Sequence, residues 1–206
     1  RVVLNKAFEL DGDVIAVCPQ FSSAGAVIRN NTFSGSPAKG IRQQSPDVLI
    51  ENNEISFTGG TGLSLFGQPS YWGEGPYVYN AKVLNNYFHD TVISQDALSA
   101  GAIVVREVGY RENQLSRNVV IRGNRIEDTG GSGIIAAGVN GLEIVDNSVT
   151  GYAMNPSFPG KRTMKLGANY GFVIDSSSNV LEQGNTIEAP GAYSEGERFI
   201  YEVDFR

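Results

Sequence analysis

Six stretches of the chain share one order of apolar and polar positions: "AVIRNNTF", "VLIENNEI", "AKVLNNYF", "VVIRGNRI", "LEIVDNSV" and "VLEQGNTI". Each alternates for a few residues, reaches an asparagine and resumes on an apolar residue. Period-two alternation predicts a β-strand. No long window carries the i, i+3, i+4 apolar pattern, so a helical fold is excluded. Aligned on Asn31, Asn53, Asn86, Asn124, Asn147 and Asn185, the stretches are 22, 33, 38, 23 and 38 residues apart. The two short steps set a basic period, and the longer ones predict insertions. Repeats of this length predict a solenoid.

A second apolar piece follows in five repeats: "KGIRQQ", "TGLSLF", "GAIVVR", "SGIIAA" and "YGFVID". In three of them the first apolar residue, Ile41, Leu63 or Ile134, falls ten after the asparagine. Two strands at a fixed offset, repeated along the chain, predict a parallel β-helix. Its rungs stack at ~4.8 Å, the strand spacing of a sheet. The six asparagines are expected to take left-handed backbone geometry at the turn and to bond one another from rung to rung.

The insertions fall at 89–100 and 152–169, before second-piece strands, and at 67–79 and 107–117, after them. Long connections in a solenoid mark a binding face. A groove is therefore expected over the outer face of the second-piece sheet. Alternation with Ile41, Leu63, Ile103, Ile134 and Phe172 inward turns Arg42, Gln44, Ser64, Phe66, Val104, Arg106, Ile135, Ala137, Val173 and Asp175 outward.

Composition adds limits. The 206 residues suffice for one core, so one domain spanning 1–206 is expected. Twenty-five glycines and 18% charged residues agree with short strands and many turns. A net charge of −6 without a basic cluster argues against a nucleic-acid partner, and none is expected. The single cysteine, Cys18, forms no intrachain disulfide and reads as a small buried apolar group. No signal-peptide pattern and no apolar run of about 18 residues is present, so no membrane partner is expected. A secreted or periplasmic location is the expectation. The chain opens on Arg1 without a methionine, so a mature form or the later part of a longer protein is the expectation. About six coils with no amphipathic helix at the start leave one end of the core to be covered, by a second chain or by a missing N-terminal segment.

Candidate chemistry sits in the insertions. "GQPSYWGEGPYVY" brings Tyr71 and Trp72 beside Glu74, an apolar ring face next to a carboxylate, which suits sugar recognition. "HDTVISQDALSA" holds the only histidine, His89, with Asp90 and Asp96. His89 and Asp90 are adjacent, so strand alternation would aim them apart. "VVREVGYRE" places Arg106 and Glu107 where a strand meets its loop. Glu74, Asp96 and Glu107 form a pool of carboxylates from which a catalytic pair can be drawn. In glycoside hydrolysis one protonates the leaving oxygen and the other attacks or activates water; their separation sets retention or inversion. Tyr71, Trp72, Arg42, Arg106 and His89 are the expected binders, with an oligo- or polysaccharide as partner.

The repeated V-x-I-x-x-N-x-[IF] followed by G-I-x-x resembles the right-handed parallel β-helix of the pectin-lyase-like superfamily over about residues 24–190. The resemblance implies an all-β, right-handed solenoid of about six coils. The superfamily includes polysaccharide lyases, glycoside hydrolases, epimerases, tailspikes and adhesins, so fold does not settle activity. "GDVIAV", "NNTF" and "GIRQQSPDVLIENN" are further similar to β-helical α-galactosidases that cleave α-1,3-linked galactose, which implies a hydrolase without assigning a catalytic residue. A lyase acting on a uronate-containing glycan is the rival enzyme, with Arg106 as base and Ca²⁺ on aspartates. A non-catalytic glycan-binding or structural adhesin is the third reading. The hydrolase reading needs no metal or cofactor.

Overall fold

The computed structural model describes residues 22–67, 75, 77–94, 101–106, 114–156 and 169–201. Each coil contributes three short strands. The first is β1 (Val27–Arg29), β2 (Thr32–Ser34) and β3 (Ile41–Gln43), and the second is β4 (Leu49–Glu51), β5 (Glu54–Ser56) and β6 (Leu63–Leu65). The third is β7 (Tyr79–Leu84), β8 (Tyr87–His89) and β9 (Gly101–Arg106), and the fourth β10 (Ser116–Arg122), β11 (Arg125–Glu127) and β12 (Ser132–Ala137). The fifth is β13 (Val139–Val145), β14 (Ser148–Tyr152) and β15 (Tyr170–Asp175), and the sixth β16 (Ser178–Gln183), β17 (Thr186–Pro190) and β18 (Gly196–Tyr201). The first strands of all coils form sheet A, the second sheet B and the third sheet C, each parallel and six-stranded. The expected right-handed parallel β-helix of about six coils is the fold.

The expected two-strand rung is corrected to three. Each asparagine motif spans two strands, with the turn inside it. The second strand was missed because it is often only three residues long, as in Thr32–Ser34 and Glu54–Ser56. Such a strand is too short to show a period of its own.

The left-handed residue at this turn is also shifted by one. It is the residue before each anchor: Asn30, Asn52, Asn85, Gly123, Asp146 and Gly184, with φ of 57°, 54°, 53°, 66°, 54° and 68°. All are types that tolerate this region. The anchors themselves build the ladder. Asn124 Oδ1 accepts from the Asn86 backbone N–H at 2.9 Å and from Asn86 Nδ2 at 3.0 Å. Asn124 Nδ2 donates back to the Val83 carbonyl at 2.9 Å and on to Asn147 Oδ1 at 3.0 Å. The same pattern joins Asn53 to Asn86 and Asn147 to Asn185. Only a short side chain with two donor hydrogens and a doubly accepting oxygen meets all four demands, which is why the position is asparagine six times.

One core fills the tube. Ile50, Ile55, Leu63, Phe88, Ile103, Ile121, Ile126, Ile134, Leu142 and Phe172 point inward and are fully buried. In the sixth coil two inward positions are charged: Glu182 pairs with Ile144 of the coil above and Arg198 with Phe172. Arg198 Nε donates to the Glu182 carboxylate at 3.0 and 3.2 Å, and the guanidinium carbon lies 5.8 Å from the Phe172 ring centre. This ion pair covers the core on that side, and inward charges on an outer strand discourage pairing with another chain.

Candidate functional site

Of the sequence-predicted site residues, Glu74, Asp96, Glu107, Tyr71 and Trp72 lie outside the described residues, as does Cys18. Arg42, Arg106 and His89 are described, and they fall on two different walls. Arg42 and Arg106 face outward from sheet C, on β3 and β9. His89 ends β8 and faces outward from sheet B.

The outer face of sheet C has two halves. Val104, Ile135, Ala137 and Val173 form a second, buried apolar cluster with Phe66, against which Tyr170 and Phe199 pack. The central strip of the expected groove floor is thus itself dry. The polar half lies in the first three coils. Phe66 sits between two guanidiniums, with the Arg42 carbon 5.7 Å and the Arg106 carbon 5.2 Å from its ring centre. Such distances are cation–π contacts. Arg106 is only 3% exposed, whereas Arg42 reaches solvent. Ser64 and Gln44 complete this patch. Gly75, in left-handed geometry at φ +65°, rests on Gln44: a Cβ placed on it would come within 2.6 Å of the Gln44 Cβ.

The cluster on sheet B was not foreseen as a unit. Tyr87 donates to Glu127 Oε2 at 2.5 Å, and Arg125 Nε donates to Glu127 Oε1 at 2.8 Å. The Arg125 guanidinium carbon stands 4.8 Å from the Tyr87 ring centre, and Tyr87 stacks on His89 at 4.7 Å. Phe57 meets His89 nearly perpendicular, with ring centres 5.6 Å apart. His89 Nδ1 faces Asp90 Oδ2 at 2.8 Å, and Nε2 faces Glu54 Oε1 at 3.4 Å. The expectation that adjacent His89 and Asp90 point apart is corrected. Asp90 is the corner residue, at φ 49°, and the left-handed turn swings its carboxylate back onto the ring. Tyr87, Arg125 and Glu127 were missed because one long coil, 40 residues from Tyr87 to Glu127, separates them in sequence; only the rung register sets β8 against β11.

The sheet B cluster satisfies itself and clasps three rungs together. Glu127 is held below its ordinary carboxylate value, first by the Tyr87 hydrogen bond, against burial, and then by Arg125. Burial works to lower the His89 value, but hydrogen bonds to Asp90 and Glu54 outweigh it, and the proton is held more tightly than in free histidine. The clasp therefore adds stability that is fully present below the unfolded-state value of 6.5 and is lost as pH rises through the higher folded value. Thermal melting followed from about pH 6 to about pH 8 should show a small decline that His89→Gln abolishes. An identical slope in that variant would disprove the clasp.

Among the described residues, no group of three or more His, Cys, Asp or Glu side chains is placed to hold a metal ion. No described helix is long and apolar enough to cross a membrane.

Residues 20–196 match the family profile described as "Right handed beta helix region". No match emerged from a comparison with curated proteins. Among solved structures, the chain is similar to the Azotobacter vinelandii mannuronan C-5 epimerase AlgE6 A-module, at 19% identity and a TM-score of 0.51, over 89% of this chain and 53% of that one. The chain spans about half the length of that module, and the likeness is one of fold.

Proposed function

This chain belongs to the right-handed β-helix family, and on that premise we propose that it binds a glycan on the polar half of sheet C and cleaves it as a glycoside hydrolase. The observation that carries this reading is the Arg42–Phe66–Arg106 sandwich. Phe66 and Arg106 are almost fully buried and Arg42 reaches solvent, so the ring backs the Arg42 guanidinium, whose planar fork donates to sugar hydroxyls in fixed directions.

Two of the three proposed catalytic carboxylates, Glu107 and Glu74, adjoin residues of this patch in sequence. Glu107 follows Arg106 directly. Glu74 precedes Gly75, which rests on Gln44. Asp96 comes two residues after Ser94, whose hydroxyl donates to the Gly59 carbonyl at 3.0 Å. One of the three protonates the glycosidic oxygen while a second attacks the anomeric carbon or deprotonates a water. Tyr71 and Trp72, on the stretch that carries Glu74, supply further sugar-facing surface. The partner is an oligo- or polysaccharide outside the cell or in the periplasm, and the chemistry requires no cofactor.

Glu74→Gln, Asp96→Asn and Glu107→Gln, assayed on α-1,3-galactobiose and on a mannuronate hexamer, test the assignment. Two of the three should lose about a hundredfold or more in rate, the contribution of a positioned acid or base. Full activity in all three variants would end it. A second reading rests on the two guanidiniums, which also suit a uronate carboxylate. In that case the hexamer yields unsaturated products, Arg106 is the base, and chelation of Ca²⁺ stops the reaction. Binding without turnover of either sugar would identify a non-catalytic glycan module.

A further inference from the structure

Among the described residues, two uncharged polar atoms on the wall of sheet C lack what buried polar atoms need. Ser64 is fully buried, and its Oγ has no hydrogen-bond partner among the described residues. The same holds for Gln44 Nε2. Leaving such a group unsatisfied destabilises the fold, so each one asks for a reason. Ser64 stands outward, because its neighbours Leu63 and Leu65 fill the core. It pairs in register with Arg42 above and Val104 below. Gln44 also faces outward, one residue past Gln43, which pairs with Leu65. Both therefore border the ring of Phe66. Gln43 Nε2 is unsatisfied too, but it points inward at the first coil and is no part of this wall.

Resting on the glycan-binding reading of sheet C, we infer that Ser64 and Gln44 are specificity-determining contacts for a sugar hydroxyl. The amide of Gln44 donates to the hydroxyl oxygen. The hydroxyl of Ser64, able both to donate and to accept, closes the pair. These atoms are kept dry and unpaired at a cost to the fold, and the ligand supplies the missing bonds. A ligand lacking that hydroxyl leaves both groups buried and unpaired, so it is rejected strongly. Chain strain alone predicts no such dependence on ligand.

Ser64→Ala and Gln44→Leu separate the possibilities. Each removes an unsatisfied group with little change of shape. If the inference holds, Ser64→Ala raises the melting temperature by about 2–4 °C and weakens binding of α-1,3-galactobiose or the mannuronate hexamer about tenfold. Gln44→Leu weakens the same sugar by a similar factor. The opposed signs in stability and binding are what a purely structural role would not give. Wild-type affinity in both variants, with the wild-type protein binding, overturns the inference and leaves the glycan reading standing. A lower melting temperature in Ser64→Ala also overturns it, because the hydroxyl then has a partner within the folded protein. If wild-type protein binds neither sugar in calorimetry, the glycan reading itself fails and takes this inference with it.

Discussion

Asn124→Leu is expected to destabilise the protein by about 4 kcal/mol, lowering the melting temperature by about 10 °C for a chain of this size. The substitution keeps the branching and number of heavy atoms and removes the amide. The Asn86 backbone N–H and one Asn86 Nδ2 hydrogen then lose their acceptor. The Val83 carbonyl and Asn147 Oδ1 each lose a donor. Asn86, Asn124 and Asn147 are all about 1% exposed, so water does not replace these bonds. Each orphan costs about 1–3 kcal/mol, less the gain from burying leucine. Asn31→Leu is the control. It lies at the exposed end of the same ladder, where its Nδ2 bonds Arg29 O and Asn53 Oδ1. Solvent can substitute there, and the loss should stay below about 1 kcal/mol. Urea unfolding of both variants checks the difference. Equal losses would mean that the ladder shapes the turn but does not hold the coils together.

Gly133→Val should cost about 3 kcal/mol or more, or prevent folding altogether. Gly40, Gly62, Gly133 and Gly171 each precede the first inward residue of a sheet C strand, a position held by Ala102 in the third coil. Their backbone angles are ordinary, so the requirement is room. A Cβ on Gly133 would lie 2.8 Å from the Gly171 carbonyl oxygen and 2.8 and 2.9 Å from the two methyls of Val149. That carbonyl belongs to the next rung, β15, and cannot move without breaking the parallel ladder of sheet C. Thermal melting and the far-ultraviolet spectrum of the variant provide the check. A valine accepted with a loss under about 1 kcal/mol would show that the coils breathe enough to admit a side chain there.

The turns of this protein are written plainly in its sequence. A β-helix must solve the same corner once per coil, so Asn31, Asn53, Asn86, Asn124, Asn147 and Asn185 recur against unrelated backgrounds. The fixed offset of Ile41, Leu63 and Ile134 from the turn asparagine, with strand geometry alternating the rest, likewise showed which side chains of sheet C face out, although the runs themselves are apolar and buried almost throughout. The short strands of sheet B left no such trace, and their residues were absorbed into the neighbouring turn.

What sits beside what was decided by the coiling. Arg42, Phe66 and Arg106 are spread over 65 residues and meet because the rungs register; insertions of unequal length between them hide that register from any count along the chain. Tyr87 meets Arg125 and Glu127 by the same means, from the neighbouring rung. Ser64 carries the same lesson in miniature, since a serine in an alternating strand looks solvated until the packing around it removes the water. Sequence fixes local geometry here because hydrogen bonds at a turn reach only a few residues. Sites depend on contacts between coils, and those exist only once the chain has wound.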